Sequence, residues 1–277
     1  MTGLPAASTV SAILRRHEMI DEEVAAQHHA FVRFERAQPN QLWQMDFRSY
    51  FALEGGGYCH TLSVIDDHSR FAVGLVACSD ERFETVQRCL TDVFRAYGQP
   101  ERILVDNGSP WGDDADTRHT ILTTWLMRLG IEVCHGRPYH PQTQGKVERF
   151  HRTLKEDLLE RHAFITIEQT QGLFDQWRLL YNTVRPHDAL ELQTPDNRYR
   201  PSSRPFVDPL PPVTYSPGEK TRKVDDSGKI SFRNRRFHVG KAFRHQVVAV
   251  RETADVHRFA VHFCEHLITF LDFTRRQ

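Results

Sequence analysis

Residues 42–78, LWQMDFRSYFALEGGGYCHTLSVIDDHSRFAVGLVAC, decide how the chain is read. They hold three runs rich in Val, Ile, Leu, Phe and Tyr: LWQMDF, YCHTLSVI and RFAVGLVA. The first connection is 47–57 and the second is the turn Asp66-Asp67-His68-Ser69. Neither has room for a crossover helix, so the runs predict an antiparallel meander of three strands. Beyond it, Val86, Leu90, Val93, Phe94 and Tyr97 recur at helical spacing over 84–97, and the run 102–105 predicts another strand. Ile121, Leu122, Trp125, Leu126 and Leu129 predict a helix over 117–129, stopped by Gly130, before a short strand at 131–134. Helices follow at 143–160, with Val147, Phe150, Leu154 and Leu158 on its core face, and at 167–182, before Pro186 breaks the pattern. The expected class is α/β, a mixed five-stranded sheet flanked by helices.

Three acids are candidates for a common site. Asp46 ends the run LWQM, Asp106 ends the run RILV, and Glu148 lies in PYHPQTQGKVERFHRTL, 138–154. Both aspartates are expected where a strand stops or its neighbour begins. An acid in such a place is commonly only a turn or cap residue. Context argues for more: Asp106-Asn107-Gly108 follows an apolar strand, and Glu148 follows a loop of Pro, Tyr, His, Gln and Gly. Carboxylates brought together repel, and a divalent cation reverses that cost. Mg²⁺ prefers hard oxygen ligands, and paired ions about 3.5–4 Å apart clamp the attacking and leaving oxygens of an in-line displacement at phosphorus. The chemistry implied is phosphodiester cleavage or exchange. On the helix, Glu148, Arg152 and Lys155 share one face, which sets cations beside the acid.

The 277 residues exceed one typical domain. Lys and Arg number 36 and balance 36 Asp and Glu, yet residues 215–277 carry 13 basic against 7 acidic side chains, net +6, so the rest is net −6. A basic tail domain invites a polyanion. Short strands separated by polar turns over 218–277 predict a small β-barrel, in which Arg233, Arg235 and Arg236 lie among Phe232, Phe237 and Phe243. Those phenylalanines are read first as core. Six prolines within 199–217 predict an extended, semi-rigid linker. A helix capped by Ser8 or Thr9 is expected over 7–17. Cys59, Cys78, Cys89, Cys134 and Cys264 form no CxxC pair and read as reduced thiols. With no apolar run of membrane-spanning length and no basic-plus-apolar leader, the expected location is cytoplasmic, with no membrane partner.

The strings WQMDF, VIDDHSRFAVG, ILVDNGSPW, YHPQTQGKVERFHRTLKEDL, YNTVRPHDAL and TPDNRY resemble the DDE transposase and retroviral integrase superfamily, bacterial insertion-sequence transposases above all. That resemblance implies a ribonuclease H-like core over 40–198, and a DNA transposase that cleaves a strand and transfers its 3′-hydroxyl into target DNA. It implies Asp46, Asp106 and Glu148 as catalytic metal ligands for Mg²⁺, with Mn²⁺ as substitute and two ions per site. Lys146, Arg149, Arg152 and Lys155, with Arg233, Arg235 and Arg236 of the barrel, are the implied DNA contacts. Asn107, Tyr139, His140 and Gln142 are the implied active-site loop. Partners would be element ends and target DNA, bound by a dimer or higher oligomer, in a protein associated with the nucleoid.

Two departures stand out. Forty-one residues separate Asp106 from Glu148, more than close relatives carry, which suggests a longer loop at 112–118 with Asp113, Asp114 and Asp116. Residues 1–39 resemble only a remnant of a helix-turn-helix region and connector, so the chain is expected to be N-terminally truncated. A truncated DNA-binding remnant or regulator of a full-length transposase is therefore the competing reading. A di-iron site built on Glu148–His151 and Glu132–His135 is excluded because residues 132–134 read as strand.

Overall fold

The structure, a computed structural model, describes residues 35–112, 119–135 and 145–274, together with Thr9, Ile13, Leu14, Arg16, His17 and Met19. Contacts divide the chain into units 1–35 and 36–277. In the first, the described residues of the expected helix include helical Thr9, Ile13, Leu14 and Arg16. Everything below concerns the second. Among the described residues no helix is long and apolar enough to cross a membrane.

Five strands form one sheet: β1 (Trp43–Ala52), β2 (Tyr58–Asp66), β3 (Ala72–Cys78), β4 (Arg102–Val105) and β5 (Glu132–His135), in the order β3-β2-β1-β4-β5. The meander β1-β2-β3 is antiparallel, whereas β1 pairs with β4, and β4 with β5, in parallel. Helices cover both faces, as a sheet buried on two sides requires. On one face, α1 (Phe83–Tyr97) and α2 (Ile121–Arg128) bury Val86, Leu90, Phe94, Leu122 and Trp125 against Trp43, Met45, Leu62 and Val64. On the other, α3 (Gly145–Leu154) and α4 (Ile167–Thr183) bury Val147, Phe150, Phe174 and Trp177 against Cys59, Ile65 and Leu75. Strand pleating then dictates the site: with Trp43 and Met45 turned toward α1 and α2, their neighbours Gln44 and Asp46 turn toward α3.

One expectation is corrected. Asp46 does not end a strand, because β1 runs on to Ala52, pairing Arg48 with Thr61 and Phe51 with Cys59 around a bulge. The polar Arg48 and Ser49 resemble a turn, but β2 supplies a ladder partner opposite them and the connection shrinks to 53–57. At the opposite edge, α4 closes the sheet with side chains. Asn182 accepts from the Ala72 N–H (2.8 Å) and donates to its carbonyl (3.1 Å), while Gln171 does the same for Ala77 N–H (2.9 Å) and Leu75 O (3.1 Å). Edge groups that could template another chain are thereby satisfied.

A short helix, α5 (Pro195–Arg198), leads into the proline tract. This segment is extended, as its prolines dictate, but it is strapped onto the core. Tyr199 is buried and stacked on Phe71 (4.3 Å), Phe206 and Leu210 rest on the α1/α2 cluster, and Arg204 donates to the carbonyls of Pro100, Leu129 and Gly130.

The C-terminal strands are β6 (Lys220–Lys223), β7 (Lys229–Phe232), β8 (Arg235–His238), β9 (Val247–Glu252), β10 (Arg258–Phe263) and β11 (His266–Asp272). They form an antiparallel four-stranded sheet, β11-β10-β9-β6, and a separate β7-β8 hairpin. The two enclose one core of Val224, Phe232, Phe243, Val248, Phe259 and Phe263, in place of a single hydrogen-bonded ring. Phe232 and Phe243 are thus core residues. Met127 of α2 enters the same cluster, and Thr124 donates to Ala242 O (3.4 Å), so the core domain and the C-terminal strands share packing.

Candidate active site

Asp46 lies on β1, Asp106 immediately follows β4, its parallel neighbour, and Glu148 sits in the first turn of α3 over the same face. Asp46 comes close enough to the other two to feel their charge. The Asp46 carboxyl is pushed up from 3.8 to about 7, first by burial, then by Asp106, with smaller contributions from Glu148 and Glu81; the Phe47 N–H opposes them. Such a shift marks carboxylates gathered at low solvation.

The loop after β4 is built around Asp106. Gly108 N–H donates to Asp106 Oδ1 (3.0 Å), and a Cβ on Gly108 would stand 3.1 Å from Asp106 Oδ2, so a side chain there would crowd the carboxylate. Gly112 N–H and Trp111 N–H both donate to Gly108 O, closing the turn. Trp111 is buried and stacks on Phe47 (5.5 Å, 19°), the residue after Asp46, which ties the Asp106 loop to β1. From β5, the His135 ring nitrogen Nδ1 lies 3.1 Å from Asp106 O. Asn107 is exposed beside Asp106.

His151 was not singled out for this site by the sequence. One turn beyond Glu148, it is buried, with Nδ1 3.8 Å from Asp46 Oδ2. Burial, then the Arg48 charge, lowers it to about 4, so the ring is neutral near pH 7 and does not neutralise Asp46. Its Nε2 is buried without a hydrogen-bond partner. The available signal was the ExxH spacing, which puts both side chains on one stretch of helix.

The donor set fits a divalent metal. Asp46, Asp106 and Glu148 offer hard oxygens, and the raised Asp46 carboxyl reports burial first and the neighbouring acids second, a cost to its anion that a cation would offset. Among the described residues no three His, Cys, Asp or Glu side chains gather as a ready-made metal site.

The cations expected to meet DNA divide. Arg149 and Arg152 are exposed on α3. Lys155 lies where α3 gives way to a π turn, Lys155–Leu159, and pairs with Glu160 at 3.3 Å. Lys146 is corrected: it does not face outward but donates to the fully buried Asp67. Arg233 lies over the Phe259 ring (4.4 Å), Arg235 over Phe273 (5.3 Å), and Arg236 pairs with Asp225. Arg233 and Asn234 both take positive φ, the two-residue turn of the β7-β8 hairpin. Tyr139, His140 and Gln142, like Asp113, Asp114 and Asp116, lie outside the described residues.

Comparison with known proteins bears on the family and the fold. Residues 36–141 and 129–195 match two models of the integrase core domain, and residues 219–277 match the C-terminal domain of IS481 family transposases. The chain is 28% identical over 157 residues to the insertion element IS407 uncharacterized 31.7 kDa protein of Burkholderia multivorans, covering 57% of this chain and 54% of that one. It is 30% identical over 166 residues to the transposase for insertion sequence element IS904 of Lactococcus lactis, covering 58% and 62%. The chain spans about half the length of the first of the curated relatives it matches. In fold it is similar to a chain of the simian T-cell lymphotropic virus intasome, solved by cryoEM with PP2A regulatory subunit B56 gamma. That match has a TM-score of 0.50 at 16% identity and covers 95% of this chain and 92% of that one. With integrase-core models spanning 36–195 and a transposase C-terminal domain following, the chain belongs to the integrase-core superfamily of insertion-sequence transposases and retroviral integrases.

Proposed function

We propose that this chain is a DNA strand transferase, which cleaves and joins strands by in-line displacement at phosphorus in DNA transposition. The observation that supports this reading is the Asp46 carboxyl on β1, lifted to about 7 by burial and by the charges of Asp106, which follows β4, and of Glu148 on α3. Asp46 and Asp106 would hold Mg²⁺ or Mn²⁺ between them, with Glu148 completing the set for a second ion; when bound, such ions neutralise charge on the phosphate and activate the attacking oxygen. The Gly108 turn keeps Asp106 uncrowded, and the neutral His151 shields one side of Asp46 without competing for it as a cation. Arg149 and Arg152, exposed beside Glu148, would orient the strand through its phosphates, which positions DNA without reading its sequence. The basic C-terminal strands, Arg233, Arg235 and Arg236 among them, would add contacts to element ends or target DNA. Two sites acting on paired ends require at least a dimer on DNA.

The test is Mg²⁺- or Mn²⁺-dependent joining of precut element-end oligonucleotides into plasmid, with Glu148→Gln alongside. Joining that vanishes in Glu148→Gln supports the reading. A folded protein that binds DNA but never joins it would overturn the enzymatic assignment in favour of a DNA-binding regulator.

A further inference from the structure

We infer that Lys146 is a positioning residue: clamped by the buried Asp67, its ammonium sets the helical turn that carries Glu148 against the strand that carries Asp46. The inference rests on the assignment of those two acids to the active site. Asp67 follows β2 in the turn toward β3 and its side chain is fully buried, while that of Lys146 is 15% exposed. Lys146 Nζ donates to Asp67 Oδ1 (2.5 Å) and to Asp67 O (3.0 Å). The carboxylate also accepts Gln44 Nε2 on Oδ1 (2.9 Å) and Arg36 N–H on Oδ2 (2.8 Å). A buried charge pair satisfied in this way is held in one geometry, and removing either partner strands the other.

Gln44 closes the circuit. Its Oε1 accepts the N–H of Val147 (3.3 Å), one of the first-turn donors that a helix leaves without an internal partner. Gln44 lies two residues before Asp46 on β1, and Lys146 lies two residues before Glu148 on α3. A hydrogen-bonded path Gln44, Asp67, Lys146 therefore links the two acid-bearing elements one step behind the acids themselves. Rotation matters as much as distance. Residues two apart on a helix point about 200° from each other, so seating Lys146 over Asp67 on one flank of the packed face puts Glu148 on the other flank, the side of His151, which lies beside Asp46. Lys146 is thereby removed from the DNA-contacting set, where a cation beside Glu148 would otherwise be placed.

The experiment compares wild type with Lys146→Met, Asp67→Asn, the double variant, Lys146→Arg and Glu148→Gln. DNA affinity is read in Ca²⁺ with a fluorescein-labelled duplex across a salt series, joining is read at saturating DNA, and hydrogen exchange is followed in the peptide covering α3. A positioning role predicts an unchanged salt slope, a loss of about 10–100-fold in joining rate in either single variant, and no greater loss in the double. It further predicts faster exchange at the start of α3 that Glu148→Gln does not cause, and partial recovery in Lys146→Arg. A salt slope reduced by about one in Lys146→Met, with joining restored at saturating DNA, would make Lys146 a phosphate contact and overturn the inference. Additive losses in the double variant, or unchanged exchange in α3, would also overturn it. If Glu148→Gln joins DNA as well as wild type, the site assignment fails first; if only the Lys146 and Asp67 variants retain full activity, the positioning role alone fails.

Discussion

Replacing Asp46 with asparagine should stabilise the metal-free protein at neutral and higher pH, although it removes the residue on which the proposed chemistry depends. The folded carboxyl titrates at about 7 against an ordinary 3.8, so between those values the folded state keeps a proton that the unfolded chain has released. Stability therefore falls as pH rises through this window, the reverse of a salt-bridged aspartate. Lifting the carboxyl from 3.8 to about 7 corresponds to about 4 kcal/mol at 1.36 kcal/mol per pH unit. This is an upper bound, because hydration and counterions relax around a side chain that is 21% exposed. Asp46→Asn should match wild type at about pH 4 and exceed it by up to about 4 kcal/mol at about pH 8, a rise in Tm on the order of 10 °C for a chain of this size. The assay is thermal denaturation in EDTA across that range, repeated with Mg²⁺, which should stabilise wild type and leave the variant unmoved. A variant less stable than wild type at high pH, or a difference that does not change with pH, would refute the view that burial and neighbouring acids together penalise the Asp46 anion.

Two further outcomes concern the strap over the core. Gly98, at φ +74, ends α1, and a Cβ there would meet Ser202 O at 2.6 Å and Arg204 O at 2.9 Å, so Gly98→Ala should cost about 1–3 kcal/mol from backbone strain alone, read as a lower urea midpoint. Arg204→Ala removes donors to Pro100 O (2.5 Å), Leu129 O (3.1 Å) and Gly130 O (2.9 Å), and should cost about 2 kcal/mol. Limited proteolysis should then cut faster within 199–217; an unchanged cleavage rate would mean that Tyr199 and Phe206 hold the strap without it.

Much of this molecule is legible in one dimension. The runs around Trp43, Leu62 and Val73 carry strand composition, and the spacing of Val86, Leu90, Val93 and Phe94 repeats as a helix must, so element types and the five-stranded sheet follow from local pattern. The three acids stand out because each sits at an unusual junction of apolar strand, glycine-bearing turn or basic helix. Continuation of β1 through Arg48 and Ser49 was hidden because polar residues there match a turn until β2 supplies ladder partners. The proline tract reads as a spacer, since its anchors, Tyr97, Pro100 and Leu129, lie far away in sequence.

The sequence by itself determined the kinds of element and their order, and singled out the candidate acids, because periodicity and turn chemistry act between near neighbours. Only the tertiary structure decided which charged groups face solvent and which are locked inside. Lys146 and Arg149 look alike in a string, yet one is seated on Asp67 from 79 residues earlier and the other is exposed. His151 likewise becomes a neutral neighbour of Asp46 only once Arg48 and the core close around it. The strength of a charge depends on its distance to others and on the water left around it, and both are set by segments that folding brings together.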